Sequence, residues 1–396
     1  MTVLFINTLY HPNHLGGAEV SVQLLCEALY RHGHSVYVLS LDAQKRVSRL
    51  HGVITIYLGT KNLYTVTERK HKPWQQVLWH CIDTFNVAYY FRLKRLVKRI
   101  RPDIINTNNL QGFSLFSWKA LRKPGVPLIH TLRDYYILCH RTTLYKNGCQ
   151  CGQLCLSCRS AFAVKKMLCQ QPDAFVGISR HIINRHQQYG VAVNKPVWVL
   201  PNIAPAPLHG RQVEPVNREN IRIGFIGRIT PEKGVPFLLE EMSQLKQANY
   251  TLILAGAYDK PYKDMLRLRF PVKGKLQFVG AVEAASFYKS VDIVVVPAAW
   301  EEPFGRVVIE AMGYNKPVCV AARGGLVDLY EPDCMWQFQM RSGSLTAIIA
   351  EILAHPEIIE LKALACHRFL YQYNADYIAD EFITQALQLN KRKGNG

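Results

Sequence analysis

Two glutamates, Glu302 and Glu310, are separated by seven residues in the stretch PAAWEEPFGRVVIEAMGYNKPVCVAARGG, from Pro297 to Gly325. Pro303 and Gly305 punctuate a turn between them, and VVIEAM continues with helix formers and an apolar face. The pattern is a loop that opens a helix. The N-terminus of such a helix offers unpaired N–H groups and a positive dipole end to an anion. Glu302 falls in the loop and Glu310 inside the helix. Two carboxylates so placed can grip two hydroxylated parts of one ligand while the backbone between them holds phosphate, which suits a nucleotide sugar. The plainer reading is one solvated acid and one mid-helix acid, and spacing alone does not separate the two.

Three other groups carry chemistry. In GRITPEKG, Arg228 and Lys233 flank a turn after an apolar strand, and Gly227 and Gly234 give close access. They are candidate phosphate ligands; the alternative is a solvated loop. Gly16 and Gly17 stand between a first strand and a helix, where backbone can approach a ligand closely; the alternative is a tight turn with no ligand. Cys149, Cys151, Cys155 and Cys158 crowd into ten residues as C-x-C-x3-C-x2-C, flanked by Cys139 and Cys169. Four such thiols can close a tetrahedral zinc site or hold an iron–sulfur cluster, although this is not a standard finger spacing. They are carried as a candidate structural zinc site, with reduced thiols or disulfides as the alternatives.

These groups need elements to position them. A chain of 396 residues implies two domains. Short apolar runs alternate with helical patterns from Val3 to Leu200 and again from Ile221 to Ala322, which predicts buried parallel strands in two doubly wound α/β halves. The proline-rich stretch PNIAPAPLHGRQVEPVNREN joins them. The expected organisation is an N-terminal domain over 1–203 with a cysteine-rich insert at about 139–169, a linker over 204–219, a second domain over 220–369, and a C-terminal helix and tail over 370–396 that packs back on the first domain. A long helical segment is expected from Trp74 to Arg101, with Phe91, Leu96, Val97 and Ile100 on one side and a crowd of cations on the other.

The formal net charge of +19 favours an anionic partner. The basic helix suits an anionic membrane surface; its plainer role is to pack an apolar stripe on the sheet and show a solvated face. No nucleic-acid motif is present, and no apolar run reaches the roughly 18 residues of a membrane span. The N-terminus reads as a buried strand rather than a signal peptide. The expectation is a cytoplasmic protein, peripheral at the inner face of the membrane, with its 11 cysteines reduced or metal-bound.

Read together, GGAEVSVQLLCEALYRHGHSVYVLS, PDIINTNNLQG, VGISRHI, VLPNIAP, GRITPEKGVPFLLE and EEPFGRVVIEAMGYNKPVCVAARGG resemble glycosyltransferase family four along nearly the whole chain. The resemblance implies the GT-B fold, two Rossmann-like domains facing a cleft, and retaining transfer of a sugar from a UDP- or GDP-sugar to a saccharide or lipid-linked acceptor. It implies that Arg228 and Lys233 neutralise the donor diphosphate and stabilise the departing nucleoside diphosphate. Glu302 would lie near the transferred sugar's hydroxyls, with Phe304 and Gly305 offering backbone N–H groups. Glu310 would accept hydrogen bonds from the ribose diol. Gly16, Gly17, Gly227 and Val308 complete the donor-binding set. No metal or other cofactor is required by this chemistry, and the sequence contains no Asp-x-Asp.

One departure stands out. Many relatives carry His-Asp where this chain has Arg133–Asp134, within LIHTLRDYY. Either Arg133 takes over the polar contact to the donor sugar or the sugar is held differently. Both residues are carried as catalytic candidates with Arg228, Lys233 and Glu302. Two further functions compete: a nucleotide-sugar epimerase of the same fold, and a non-catalytic binder of anionic surfaces. The basic loop together with the paired glutamates favours transfer.

Overall fold

The computed structural model of the chain describes residues 1–13, 16–68, 71–204 and 213–394. Residues 205–212 of the expected linker lie outside them. Along the chain the strands are β1 (Thr2–Ile6), β2 (Ser35–Asp42), β3 (Arg46–Leu50), β4 (Val53–Gly59), β5 (Ile104–Thr107), β6 (Leu128–Leu132), β7 (Tyr145–Lys146), β8 (Cys149–Gln150), β9 (Ala174–Gly177), β10 (Val197–Val199), β11 (Ile221–Ile226), β12 (Tyr250–Ala255), β13 (Lys275–Gly280), β14 (Ile293–Val296), β15 (Val318–Ala321) and β16 (Met335–Phe338). The chain divides into two compact units: Met1–Leu144 with Gly152–Ile203 and Asn374–Gly396, and Tyr145–Cys151 with Ala204–Tyr373.

The first unit holds a sheet of order β10-β9-β6-β5-β1-β2-β4-β3, parallel except for the β3–β4 pair. The second holds a fully parallel sheet of order β13-β12-β11-β14-β15-β16. Runs such as IVVV in β14 and VCVA in β15 are buried along almost their whole length, as expected of strands covered on both faces, so they read as unbroken apolar segments. In open parallel sheets, ligands bind beyond the carboxyl ends of the strands where the order reverses. The order turns back at β1 and β5 in the first sheet and at β11 and β14 in the second. The fold alone therefore nominates the loops after those strands.

The structure corrects the segment around Trp74. It is two helices, Pro73–Thr84 and Tyr90–Ile100. Asn86 breaks the run: its Nδ2 donates to the Lys61 carbonyl at 3.0 Å and its Oδ1 accepts from the Ala88 N–H at 3.0 Å, a local bonding pattern that competes with helix. The second helix buries Leu93 and Val97, whereas Phe91 faces solvent. Ser179 caps the helix Arg180–Gln187, its Oγ accepting from the Ile182 N–H.

A terminal helix, Ala375–Gly394, belongs to the first unit. It buries Ile378, Ala379, Phe382 and Ala386 against Val22, Leu25 and Leu29 of the helix Gly17–Arg31, with Phe382 5.8 Å from the Phe5 ring of the central strand. Phe382→Ala should cost about 3–5 kcal/mol, read as a shift of the urea midpoint. Leu387→Ala, at an exposed site on the same helix, should stay within about 1 kcal/mol; equal losses would contradict this packing.

A buried polar knot ties four segments of this unit. Asp83 accepts from the Tyr136 hydroxyl at 2.7 Å and from the Gly112 N–H at 2.5 Å. Lys165 donates to the Tyr136 carbonyl at 2.7 Å and lies 3.6 Å from the centre of its ring. Burial pushes the Asp83 carboxyl up from an ordinary 3.8 to about 6, against the lowering pull of Lys165 and the two hydrogen bonds. Folding thus penalises ionised Asp83. The penalty is absent below about pH 4 and complete above about pH 6, where it reaches roughly 3 kcal/mol. The difference in Tm between Asp83→Asn and the parent should move in the variant's favour as pH rises from 4 to 7; a constant difference would contradict the assignment.

Candidate active site

In the second unit, β11 ends at Gly227 (φ +152°), and a single 3-10 turn, Pro231–Lys233, leads to Gly234 (φ +78°). A Cβ on Gly234 would lie 1.6 Å from the Pro297 carbonyl oxygen. Only glycine lets the loop after β11 touch the loop after β14. The Glu232 carbonyl then accepts from the N–H groups of Ala299 and Trp300 at 3.0 and 3.2 Å. On this junction the Lys233 ammonium sits 2.8 Å from Glu302 Oε2, which also accepts from Trp300 Nε1 at 2.8 Å. Lys233 Nζ is 5.0 Å from the centre of the Trp300 ring. Gly324 and Gly325 close the junction from the loop after β15: the Gly325 N–H donates to the Glu302 carbonyl at 2.6 Å, and a Cβ on Gly324 would meet the same oxygen at 2.6 Å.

Glu310 is held as firmly. It stands on the seven-residue helix Arg306–Met312, which Gly305 (φ +104°) opens. Its carboxylate pairs with Arg306 at 2.7 Å and accepts from the Tyr288 hydroxyl at 2.9 Å. Burial and the adjacent Glu310 hold the Tyr288 phenol well above its ordinary value, so Tyr288 remains a donor. Arg228 is looser, more than half exposed and 3.5 Å from Glu232. Phe304 and Val308 are buried in the core, and the Val308 N–H donates to the Gly305 carbonyl at 2.9 Å. The second unit thus carries Gly227, Arg228 and Lys233 on the loop after β11, and Glu302, Phe304, Gly305, Val308 and Glu310 on the loop and helix after β14.

Gly16, Gly17, Arg133 and Asp134 belong to the first unit. Gly16 is extended (φ −166°) and donates its N–H to Glu19 Oε2 at 3.1 Å; Gly17 begins the helix Gly17–Arg31. Arg133 is buried, with Nε donating to Asn108 Oδ1 and an Nη to Asn202 Oδ1, both at 2.7 Å. It thereby ties the loops after β5, β6 and β10. Burial lowers its pKa to about 10, which leaves it protonated at neutral pH. Asp134 accepts from the Tyr136 N–H at 2.8 Å, and burial pushes its carboxyl up to about 6. Glu19 sits within electrostatic reach of both Arg133 and Asp134. His130, the nearest histidine before them, is a core residue. It bonds Thr107 Oγ1 at 2.9 Å, faces Trp118, and burial drives its pKa to about 3.

The expected zinc set is not formed. Cys149 and Cys151 lie with the β7–β8 hairpin in the second unit, whereas Cys155 caps the helix Leu156–Leu168 in the first. Cys158 turns instead to Cys139, with sulfurs 3.6 Å apart, and to His140 Nδ1 at 3.2 Å. Among the described residues no group of three or more His, Cys, Asp or Glu is placed to hold a metal. The physical reason is that Cys149 and Cys151 follow the β7–β8 hairpin into the second unit, while Cys155 and Cys158 belong with the helix Leu156–Leu168 in the first.

Several supporting residues were not foreseen. Tyr288 and Asn202 act through partners distant in sequence, Glu310 and Arg133, and nothing in the local sequence marks Trp300 or Arg306, two and four residues from theirs.

The chain matches two protein families in succession. Residues 15–204 match glycosyltransferase family 4 and residues 220–355 match glycosyl transferases group 1. It is 34% identical to an uncharacterised 42.6 kDa protein in the cps region of Klebsiella pneumoniae, over 83% of this chain and 87% of that one. It is 24% identical to an uncharacterised glycosyltransferase of Methanocaldococcus jannaschii, over 97% of each. Among solved structures, it overlays sucrose-phosphate synthase of Thermosynechococcus elongatus with a TM-score of 0.78 at 19% identity, covering 98% of both chains. It overlays Anabaena HepE, in complex with UDP and glucose, with a TM-score of 0.69 at 18% identity, covering 97% of this chain and 99% of that one. The parallel sheets, the two glycine-closed loops and these family matches agree: the chain belongs to family 4 of the glycosyltransferases, with the GT-B fold.

Proposed function

We propose that the enzyme moves a hexose from a nucleoside diphosphate sugar to a saccharide or lipid-linked acceptor in the synthesis of cell-surface polysaccharide or glycolipid, with retention and without a catalytic metal. The observation that carries this reading is the Lys233–Glu302–Trp300 junction at the point where the second sheet reverses. Before donor arrives, Glu302 keeps the Lys233 ammonium paired and in place. When a diphosphate enters beside Gly227, Lys233 and Arg228 are the cations that meet it. Their charge counts for most as negative charge builds on the leaving nucleoside diphosphate. Glu302, released from Lys233, accepts from the sugar hydroxyls while Trp300 still orients it. Glu310, aligned by Arg306 and Tyr288, takes the ribose diol.

In the chemical step the bond from the anomeric carbon to the β-phosphate oxygen breaks. The acceptor oxygen bonds the same face of that carbon, and its proton leaves with the phosphate. No enzyme nucleophile is needed. The HepE complexes with UDP and with UDP-glucose favour a UDP-sugar among the candidate donors, and the relative in a cps region favours surface polysaccharide as the product. Neither an epimerase nor a passive binder accounts for the basic loop set against paired glutamates.

The acceptor side falls to the first unit. Its helices Pro73–Thr84 and Tyr90–Ile100 expose Trp74, Val77 and Phe91, the connection between them exposes Phe85 and Val87, and the second helix also exposes Lys94, Arg95, Lys98 and Arg99. Exposed apolar anchors among cations suit an anionic bilayer holding a lipid-linked acceptor. Among the described residues no helix is long and apolar enough to cross a membrane.

A panel of UDP-, GDP- and ADP-sugars should reveal a donor from which free nucleoside diphosphate is released, unchanged by chelator. Lys233→Ala and Glu310→Ala should each lower that turnover about a hundredfold or more. Turnover untouched by both substitutions would remove the site. Separately, the protein should float with phosphatidylglycerol vesicles at low salt and detach as salt rises; no association at low salt would remove the membrane surface from the account.

A further inference from the structure

The β7–β8 hairpin comes from the cysteine-rich stretch of the first half of the sequence, yet it packs as part of the second unit. Asn147 and Gly148 both take positive φ, +52° and +79°, between the paired residues Lys146 and Cys149. An Asn-Gly pair is what a two-residue hairpin turn of the right twist demands. Tyr145 then stands opposite Gln150, and its hydroxyl locks the turn by donating to the Gly148 carbonyl at 2.8 Å. So short a hairpin has no stability of its own; its position depends on what it grips.

What it grips is the set of loops around the candidate donor site. Gln150 Oε1 accepts from the Glu301 N–H at 2.9 Å, and Gln150 Nε2 donates to Glu301 Oε2 at 3.2 Å. One side-chain amide thus engages both the backbone and the carboxylate of the residue directly before Glu302. Tyr145 lies within electrostatic reach of Glu232, directly before Lys233, and of Arg323, directly before Gly324. The hairpin therefore addresses the loops after β11, β14 and β15 together, the same three loops that fix Glu302.

We infer that this hairpin completes the donor site and that Gln150 is a positioning residue, holding the Glu301–Glu302 segment in register for the transferred sugar. The inference rests on the donor-site reading given above. It goes further by assigning a role to a segment that the catalytic loops alone do not require, contributed from the other half of the chain. Gln150 acts through Glu301, not on the substrate, and its grip is on the side of Glu302 rather than on the phosphate cations. Loss of Gln150 should therefore affect transfer more than nucleotide binding.

The test is steady-state transfer from the donor identified by the panel, together with calorimetric binding of UDP, GDP or ADP, on the full chain. Gln150→Ala should lower kcat about tenfold or more while nucleoside diphosphate affinity stays within about twofold of the parent. Gln150→Glu should also lose activity, since two carboxylates then face each other. The paired exchange Gln150→Glu with Glu301→Gln restores one donor and one acceptor across the contact and should recover most of the lost kcat. Unchanged kcat in Gln150→Ala would overturn the inference, as would equal loss of kcat and nucleotide affinity, or failure of the paired exchange to recover activity. Lys233→Ala serves as the reference: if it too leaves turnover intact, the donor-site reading itself falls; if it abolishes turnover while Gln150→Ala does nothing, only the role of the hairpin falls.

Discussion

The arrangement hangs on one close approach, Gly234 against the Pro297 carbonyl. A side chain there would collide with backbone at 1.6 Å, so the loops after β11 and β14 meet only because position 234 is glycine. Everything else at the site follows. The Glu232 carbonyl can reach two N–H groups of the opposite loop, Lys233 can reach Glu302, and Trp300 can reach the same carboxylate oxygen. Gly324 and Gly325 repeat the device from a third loop. Backbone contact, not side-chain adaptation, sets the geometry.

On the proposed donor reading, that rigidity has a chemical use. A cation meant for a leaving diphosphate is most effective when it is already in place, since reorganisation during the reaction would cost part of its effect. Lys233 waits in an ion pair, Glu310 waits between Arg306 and Tyr288, and Arg133 in the first unit waits between two asparagines. Each charged group is fixed by a neutral or opposite partner. Only Arg228 is left largely in solvent, free to close on a ligand.

Much of this was legible in the sequence, because the informative features are local. Alternating apolar runs and helical patterns are read within about ten residues, and the GRITPEKG and EEPFG segments announce their own turns. The glycine pairs were visible too, although which of them faces backbone was not. What remained hidden depends on distant partners. Nothing near Gln150 announces Glu301, nothing near Tyr288 announces Glu310, and the edge strands β3 and β16 carry weak patterns. The cysteine cluster misled for the same reason. Four thiols in ten residues suggest a single site, but the Asn147-Gly148 turn sends the first two to one unit and the helix Leu156–Leu168 keeps the last in the other.

The loops after β11 and β14 are proposed as the seat of a donor diphosphate. The most direct measurement is a crystal structure of the full chain with UDP bound. The account predicts diphosphate density at the carboxyl ends of those strands, within hydrogen-bonding distance of Lys233 and the Gly227 backbone, with the Lys233–Glu302 pair opened and the ribose at Glu310. A nucleotide seated elsewhere on the protein, with that pair still closed, would contradict it.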